Sequence, residues 1–355
     1  MTYPWKSRAA ALVVAWCLGT PTPPAAAFEV AFEVAFEVKE IGSFHVGGRE
    51  AVLDGLPSRE ISFVAGAPAV KVDPNGRFDV EQMYVQYIRL AHPKSNIPLL
   101  LWHGGGLTGV TWETKPDGQP GWQSYFLNAG YDVFVSDAVE RGRASWARFP
   151  EIFKTEPLFR TKKEAWDLFR IGPAGSYADD PGRRSAFDGV QFPLPAFDQF
   201  TKQFVPRWVT NDSATQAAYD ALVQRVCPCV LIAHSQGTSF AFNAALRAPD
   251  KIRAVVAVEP SGAPDPQQVP LANAKAVPHL FLYGDHLDRS EAWKRFLPNV
   301  LRYRKALAEQ GGVADLINLP EIGVGGNTHM LMMDRNSDRI AGLVQDWLSA
   351  HQGGP

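Results

Sequence analysis

One short stretch decides the fold, and it reads Val230-Leu231-Ile232-Ala233-His234-Ser235-Gln236-Gly237. A four-residue apolar run meets a polar corner, and helix-forming residues follow from Thr238 to Ala248. This pattern predicts a buried strand that turns sharply into a helix, with the Ser235 side chain forced out of the turn. Small residues two before and two after the serine let the strand and helix approach, although Ala233 stands where glycine is more usual.

The predicted turn makes Ser235 a candidate nucleophile. The first N–H groups of the following helix lack partners within it, and the helix dipole gives them a partial positive charge. A serine in a turn is usually only a cap, but a strand-to-helix elbow favours a nucleophile. The Ser235 hydroxyl needs a neutral imidazole as its base, because it barely ionises near neutral pH.

Apolar runs on both sides of this stretch predict an α/β fold with a mostly parallel, doubly wound sheet. Ile61–Val64 and Tyr84–Leu90 are predicted to lead into the sheet. Its buried central strands are predicted at Pro98–Trp102, Tyr131–Ser136, Val230–Ala233, Ile252–Val258 and His279–Tyr283. Ala314–Leu319 is the predicted last strand and Arg339–Ala350 the closing helix.

The first residues are interpreted as an export signal. Lys6 and Arg8 precede the apolar run Ala9–Leu18, and Ala25-Ala26-Ala27 has the form of a signal-peptidase site. We therefore expect residues 1–27 to be a signal peptide and the mature protein to be periplasmic or extracellular. Residues 28–41, in which Ala-Phe-Glu-Val recurs, are predicted to be a repetitive N-terminal tail.

The remaining chain, 42–355, is expected to form one α/β domain with an insertion. The region from about 141 to 225 lies between two predicted strands, is rich in Trp and Phe, and shows only helical or irregular patterning. A stretch this long inside an α/β domain is more often a cap than a disordered loop. Most of its aromatic residues should fill the cap's own core, and a few should face the cleft.

Charge and cysteine content argue against a nucleic-acid-binding, membrane-bound or metal-binding protein. The chain has 35 Lys+Arg and 37 Asp+Glu, a net charge of −2, so no basic field would hold nucleic acid or an anionic membrane. An apolar run of ten residues is too short to span a bilayer. Beyond the signal peptide only Cys227 and Cys229 remain, which either form a bridge or are two buried thiols. Without further ligands we expect no metal site.

The candidate base is His329, in a loop between the last predicted strand and the terminal helix. Two carboxylates compete to orient it, since Glu259 and Asp285 each follow a predicted strand. Either could fix the histidine tautomer and stabilise its cation. Topology alone favours Asp285. His234 adjoins the serine but is expected to point the opposite way.

Glycines supply the candidate oxyanion hole. Gly105 and Gly106 follow an early strand, and their backbone N–H groups together with that of Gln236 could hold a developing oxyanion. The run Gly104 to Gly109 also fits a dinucleotide fingerprint, which requires a helix opening at its third glycine. Pro116 and Pro120 argue against such a helix, so we expect no nucleotide cofactor.

From about Gly42 to the C-terminus, the chain resembles the α/β-hydrolase fold and, within it, the secreted bacterial esterases typified by the Alcaligenes enzyme. The resemblance rests on strings beyond the serine elbow: His103 with Leu107-Thr108-Gly109, Thr111-Trp112-Glu113-Thr114, Pro116-Asp117-Gly118, Gly121-Trp122, Tyr125-Phe126-Leu127, Gly130-Tyr131, Arg141-Gly142-Arg143, Ala165-Trp166 with Phe169-Arg170, and Val258-Glu259-Pro260.

The resemblance implies that the acid is Glu259, against the topological preference for Asp285. One departure stands out, because the family has paired cysteines where this chain has Gly105-Gly106, which implies a more mobile oxyanion loop. The expected function is a serine carboxylesterase that acts on a small-molecule ester without a cofactor, either as a monomer or as a homodimer. The alternatives are a catalytically inactive binding module of the same fold and a nucleotide-dependent oxidoreductase.

Overall fold

A computed structural model describes residues 36–146 and 148–352 of the chain. The predicted signal peptide and most of the predicted tail therefore lie outside the described residues. The strands are β1 (Val38–Leu53), β2 (Arg59–Ile61), β3 (Val70–Val72), β4 (Gly76–Leu90), β5 (Leu99–Trp102), β6 (Val133–Asp137), β7 (Cys229–His234), β8 (Ile252–Val258), β9 (His279–Tyr283) and β10 (Ala314–Asn318).

The α-helices of the described residues flank the sheet or belong to the region between β6 and β7. They are α1 (Val110–Glu113), α2 (Trp122–Ala129), α3 (Lys162–Leu168), α4 (Phe197–Phe200), α5 (Asp212–Val226), α6 (Gly237–Arg247), α7 (Glu291–Glu309) and α8 (Ser337–Gln352). None of these helices is long and apolar enough to cross a membrane.

The predicted α/β fold class is confirmed. Eight strands form one sheet in the order β1-β4-β6-β5-β7-β8-β9-β10, with parallel pairing from β6 through β10 and antiparallel pairing of β4 with both β1 and β6. The five predicted central strands correspond to β5 through β9. Their carboxyl ends meet at one edge, where ligands bind in open sheets of this type.

Burial on both faces explains why β7 is continuously apolar. Val230 and Ile232 belong to one hydrophobic core, together with residues of α2, α8 and the cap. Leu231 and Ala233 alternate with them and belong to a second core, together with residues of α5, α6 and α7. The strand that ends at Ser235 is therefore fixed from both sides of the sheet.

The amino-terminal half of the sheet differs from the prediction. The tail was expected to reach residue 41, but β1 begins at Val38 and pairs with β4 along almost its whole length. Its side chains are mostly exposed, so the strand lacks the apolar run that predicts burial. The predicted strand at Ile61–Val64 also differs, because β2 ends at Ile61 and pairs only with β3 in a separate small sheet.

The cap ends earlier than predicted. Helix α5, inside the expected insertion of residues 141–225, packs on β1, β4 and α6, and its Tyr219 and Leu222 belong to the second core. It is therefore a helix of the sheet layer, and the insertion ends near Asn211. Directly after α5, Cys227 and Cys229 form a disulfide at the start of β7.

Four of the eight histidines are buried in this fold, namely His103, His234, His279 and His329. Burial lowers the pKa of His103, His279 and His329 to about 4, and that of His234 well below its ordinary value of 6.5. Asp334 behaves oppositely, because burial raises its pKa to about 7. The folded protein therefore holds four neutral imidazoles and one protonated carboxyl in mildly acidic solution.

These groups predict acid-labile stability. Below pH 6.5 the unfolded chain protonates four imidazoles that the folded chain keeps neutral, while Asp334 offsets one of these protons. The free energy of unfolding should thus fall with pH between about 6.5 and 4, by up to about 4 kcal/mol per pH unit. Urea unfolding across this range measures the slope. His279→Gln should lower the slope of unfolding free energy against pH by about 1.4 kcal/mol per pH unit, which corresponds to one proton. His92→Gln removes an exposed histidine and is the control, for which the slope should stay the same. Equal slopes in both variants would contradict this account.

Candidate active site

Ser235 lies in the turn between β7 and α6, with a φ of 53° in the left-handed region. Its N–H donates to the Val258 carbonyl at 3.0 Å, which ties the turn to the end of β8. A Cβ at position 237 would lie 2.6 Å from the His103 carbonyl oxygen, so only glycine permits this close approach of α6 to the loop after β5. The turn presents Ser235 to a cavity of about 560 Å³.

Predicted oxyanion groups lie at the same cavity, with one exception. Gly105 and Gln236 line it together with Ser235. In the part of the chain that the structure describes, neither of their backbone N–H groups donates to another acceptor. Gly106 does not contribute to the lining; its φ is +72° and its carbonyl accepts from Val205 N–H at 3.1 Å. Two of the three predicted donors are thus placed beside the serine.

His329 also lines the cavity, and its imidazole contacts Glu259. The distance from His329 Nδ1 to Glu259 Oε2 is 3.1 Å, and both side chains are buried. Because a carboxylate accepts, Nδ1 carries the hydrogen and Nε2 is left as the acceptor. This is the tautomer that a base acting on a hydroxyl requires.

Asp285 contacts the backbone of the loop that carries His329, not the His329 ring. Its carboxylate accepts from the N–H of His286 at 2.7 Å and from the N–H of Gly326 at 2.9 Å. The second contact holds the loop that carries His329, three residues before it. The structure therefore places Glu259 at the His329 ring, and it places Asp285, which topology favoured, in the support of the backbone.

Arg170 is the main residue of the site to which the sequence analysis assigned no chemistry. Its Nη2 donates to Glu259 Oε1 at 2.7 Å, and its Nε donates to the Asp285 carbonyl at 2.6 Å. The arginine is 1% exposed and Glu259 is fully buried, so they form a buried ion pair. Phe169-Arg170 occurs in one of the family strings, and that string was its only signal in the sequence.

The ion pair sets the charge of Glu259. Burial by itself would raise the pKa of this carboxyl, but the charge of Arg170 and the hydrogen bond with His329 outweigh burial and hold the pKa below its usual value. A third donor, the Gly284 N–H, lies 2.5 Å from Glu259 Oε1. Glu259 is thus an ionised carboxylate facing a neutral imidazole.

His234 also belongs to the site, although it was expected to point away from the serine. Its Nε2 lies 2.9 Å from the His329 carbonyl, so Nε2–H donates to that oxygen. Its ring centroid is 4.5 Å from that of His329. Phe169 and Trp293 contact the same imidazole, with centroids at 5.2 and 4.7 Å. The base is therefore enclosed by three rings, which explains how burial lowers its pKa.

The Ser235 hydroxyl lies 3.5 Å from Ser261 Oγ, at the cavity wall. This long contact is weak. The contact therefore does not hold the Ser235 hydroxyl firmly in one orientation.

Between residues 141 and 211, the predicted cap contributes Arg160, Leu168, Phe169 and Arg207 to the lining of this cavity. Of the aromatic residues between Arg141 and Arg225, Phe169 lines the cavity. Phe153, Trp166, Phe192, Phe197, Phe200 and Trp208 are buried elsewhere in the protein, and Trp146, Phe149 and Phe159 are exposed. Trp166, Phe192, Phe197 and Phe200 belong to the core that also contains residues of β5, β6 and β7, so the expectation that most would fill a core of the cap itself is wrong for these four.

Metal-ligating clusters and the predicted dinucleotide motif are the other arrangements to compare in the ranges 36–146 and 148–352. No group of three or more His, Cys, Asp or Glu side chains is placed there to hold a metal ion. The segment after Gly109, predicted to be non-helical, contains the single-turn helix α1, which ends at Glu113. One turn is far shorter than the helix that follows a dinucleotide fingerprint.

A mostly parallel sheet with a serine at a strand-to-helix elbow, a carboxylate after the next strand and a histidine in the loop after the last strand is the arrangement of an α/β hydrolase. Residues 227–299 match the alpha/beta hydrolase fold family. A solved structure described as that of a novel bacterial esterase is 32% identical, with a TM-score of 0.75, and the alignment covers 94% of this chain and 99% of that one. The chain belongs to the α/β-hydrolase family and is of the esterase and lipase type.

A second relative comes from a fungal species. It is named "Probable secreted lipase phiG" and is 27% identical over 331 residues, which is 77% of this chain and 87% of the relative. Both relatives match well beyond the serine elbow, as the sequence resemblance had indicated.

Removing Arg170 should destabilise the fold more than removing an exposed arginine. Arg170→Met leaves the Glu259 charge buried without its ion-pair partner, which typically costs about 3–5 kcal/mol. The control is Arg49→Met: its side chain is 52% exposed where it pairs with Glu81, so the pair should contribute about 0–1 kcal/mol. Urea unfolding at pH 7.5 measures both. Similar losses in the two variants would show that the buried pair is not needed to hold Glu259.

Proposed function

We propose that this protein is an exported serine carboxylesterase that works through an acyl-enzyme intermediate. The observation that carries the proposal is the shared cavity: Ser235 at the elbow and the His329–Glu259 pair face the same space. A nucleophile, a neutral base and a buried acid meet there in the chain order typical of this fold.

In the proposed reaction, Ser235 Oγ attacks the ester carbonyl carbon while His329 Nε2 takes the hydroxyl proton. The tetrahedral intermediate collapses, the C–O bond to the alcohol breaks, and His329 returns the proton to the leaving oxygen. Water then attacks the acyl-enzyme by the same route and releases the acid. Glu259 stabilises the His329 cation in each step, because it stays ionised beside it.

The backbone amides of Gly105 and Gln236 are the proposed oxyanion donors. They lie at the cavity beside Ser235, and Gln236 begins α6, so the partial positive charge of the helix end adds to its N–H. Such preorganised donors are worth several kcal/mol where charge develops in the transition state. Gly106 is proposed to shape the loop, since its φ of +72° is easy only for glycine.

Export is supported by two independent observations. Residues 1–27 have the pattern of a signal peptide, and the fungal relative is named as a secreted protein. The relatives' names, an esterase and a lipase, support ester hydrolysis.

The first prediction concerns Ser235. A fluorophosphonate probe should label this residue in the wild-type protein, and Ser235→Ala should abolish the label and lower kcat on 4-nitrophenyl acetate by about 10⁶-fold. His329→Ala should be almost as severe, because base and nucleophile act as one unit. Absence of labelling in folded wild-type protein would favour the alternative of an inactive binding module.

The second prediction separates the two carboxylates. Glu259→Gln should cost up to about 10⁴-fold in kcat, because the amide favours the wrong histidine tautomer. Asp285→Asn is the matched control: it removes a charge one strand away and should lower stability more than kcat. The assignment of Glu259 would be reversed if Asp285→Asn were the more damaging variant in kcat while both proteins stayed folded.

A further inference from the structure

Two arginines occupy the wall of the proposed active site next to the oxyanion loop. Arg160 and Arg207 line the same cavity as Ser235 and His329. Arg207 Nη1 is 3.0 Å from the position that a Cβ on Gly105 would take, and Arg160 Nε is 3.6 Å from the corresponding position at Gly106. The space left open by the two glycines is thus bordered by two guanidinium groups.

Arg207 has no carboxylate partner within 4.0 Å among residues 36–146 and 148–352, and its buried Nε donates to no acceptor there. Burial lowers its pKa, although an arginine remains charged near neutral pH. The side chain is partly buried, and a cation taken out of water without a hydrogen-bonded ion-pair partner is costly. Arg207 is therefore a cation at the cavity without a direct ion pair, although the more distant charges of Asp212 and Glu164 favour its protonated form.

The other charges of the cavity form no direct ion pair with Arg207 in the described chain, although Asp212 and Glu164 act on it at longer range. Arg160 pairs with Glu164 at 2.7 Å through Nη1, but its Nε is buried and unpartnered within the described chain. Arg247 is paired with Asp220 at 2.5 Å. Asp212 lines the cavity and accepts from the Gln236 side chain at 3.1 Å, outside ion-pair distance of Arg207. Donors for an anion remain open on Arg207 and partly on Arg160.

We propose that Arg207, assisted by Arg160, binds a carboxylate carried by the ester substrate, so that the enzyme prefers anionic esters over neutral ones. This inference rests on the proposed esterase function and narrows its substrate class. A guanidinium fork matches a carboxylate with two parallel hydrogen bonds. Because Arg207 lies beside Gly105, the carboxylate would sit only a few bonds from the reacting carbonyl. Half-esters of short dicarboxylic acids have this form.

Two matched substrate pairs test the preference. On the acyl side, monomethyl adipate is compared with methyl adipamate, its neutral amide isostere. On the alcohol side, 4-acetoxybenzoate is compared with 4-acetoxybenzamide. In the wild-type enzyme the charged member of at least one pair should have the higher kcat/KM, by about tenfold or more.

The variants then assign the preference to Arg207. Arg207→Gln should lower the charged-to-neutral ratio of kcat/KM by about tenfold to hundredfold, and Arg207→Lys should retain part of it. Arg247→Gln is the control, because its guanidinium lines the same cavity but is already paired, and the ratio should stay within about twofold. A ratio unaffected by Arg207→Gln overturns the proposal. So does an equal loss on both substrates, which would mean that Arg207 stabilises the oxyanion instead.

A binding measurement separates this proposal from the proposed reaction. Calorimetric titration of Ser235→Ala with monomethyl adipate should show binding that the added Arg207→Gln substitution weakens by about tenfold or more. Failure of the esterase function would appear as absent labelling at Ser235, while anion binding could still be measured. Equal affinity with and without Arg207 would reject the anion site whatever the catalytic result.

Discussion

Three parts of the fold meet at the buried carboxylate of Glu259: the carboxyl ends of the central strands, the loop that carries His329, and the segment predicted to be a cap. It receives donors from Arg170 in the cap segment, from Gly284 after β9 and from His329 in the loop after β10. A fully buried charge is stable only when each lone pair is matched, so these three segments must assemble together. The acid therefore acts as a structural centre of the site as well as a candidate catalytic group.

The need to pair the Glu259 carboxylate also ties part of the predicted cap to the His329 loop. Arg170 also donates to the Asp285 carbonyl, and the Phe169 carbonyl accepts from His329 N–H at 2.9 Å. The segment just after α3 is thus bonded to the histidine loop through main chain and side chain. Displacing this segment would break these hydrogen bonds and leave the buried Glu259 charge without its partner, which is costly.

The sequence predicted the parts of this protein that rest on local periodicity. Continuous apolar runs identified β5 through β9, because strands buried on both faces leave that pattern. The elbow serine and the histidine loop could be located from chain order. β1 could not, since its mostly exposed side chains carry no such pattern and its pairing with β4 is set by tertiary contact. α5 was assigned to the cap for a similar reason: a helix packed on a sheet and a helix in a cap have the same period.

Local sequence patterns could not predict contacts between residues that are distant in the chain. Arg170 lies 89 positions from Glu259, and nothing in its neighbours marks it as a buried partner. Topology favoured Asp285, although Glu259 and Asp285 each follow a parallel strand at the same edge of the sheet. The structure separates them by their surroundings. Arg170 places a cation beside Glu259, which keeps the buried carboxylate charged. Asp285 instead accepts backbone N–H groups at a more exposed turn. A carboxylate that must stabilise a histidine cation gains most where water is absent, because the attraction is then least screened. Burial together with Arg170, more than strand position, therefore makes Glu259 the better candidate for the acid in the proposed reaction.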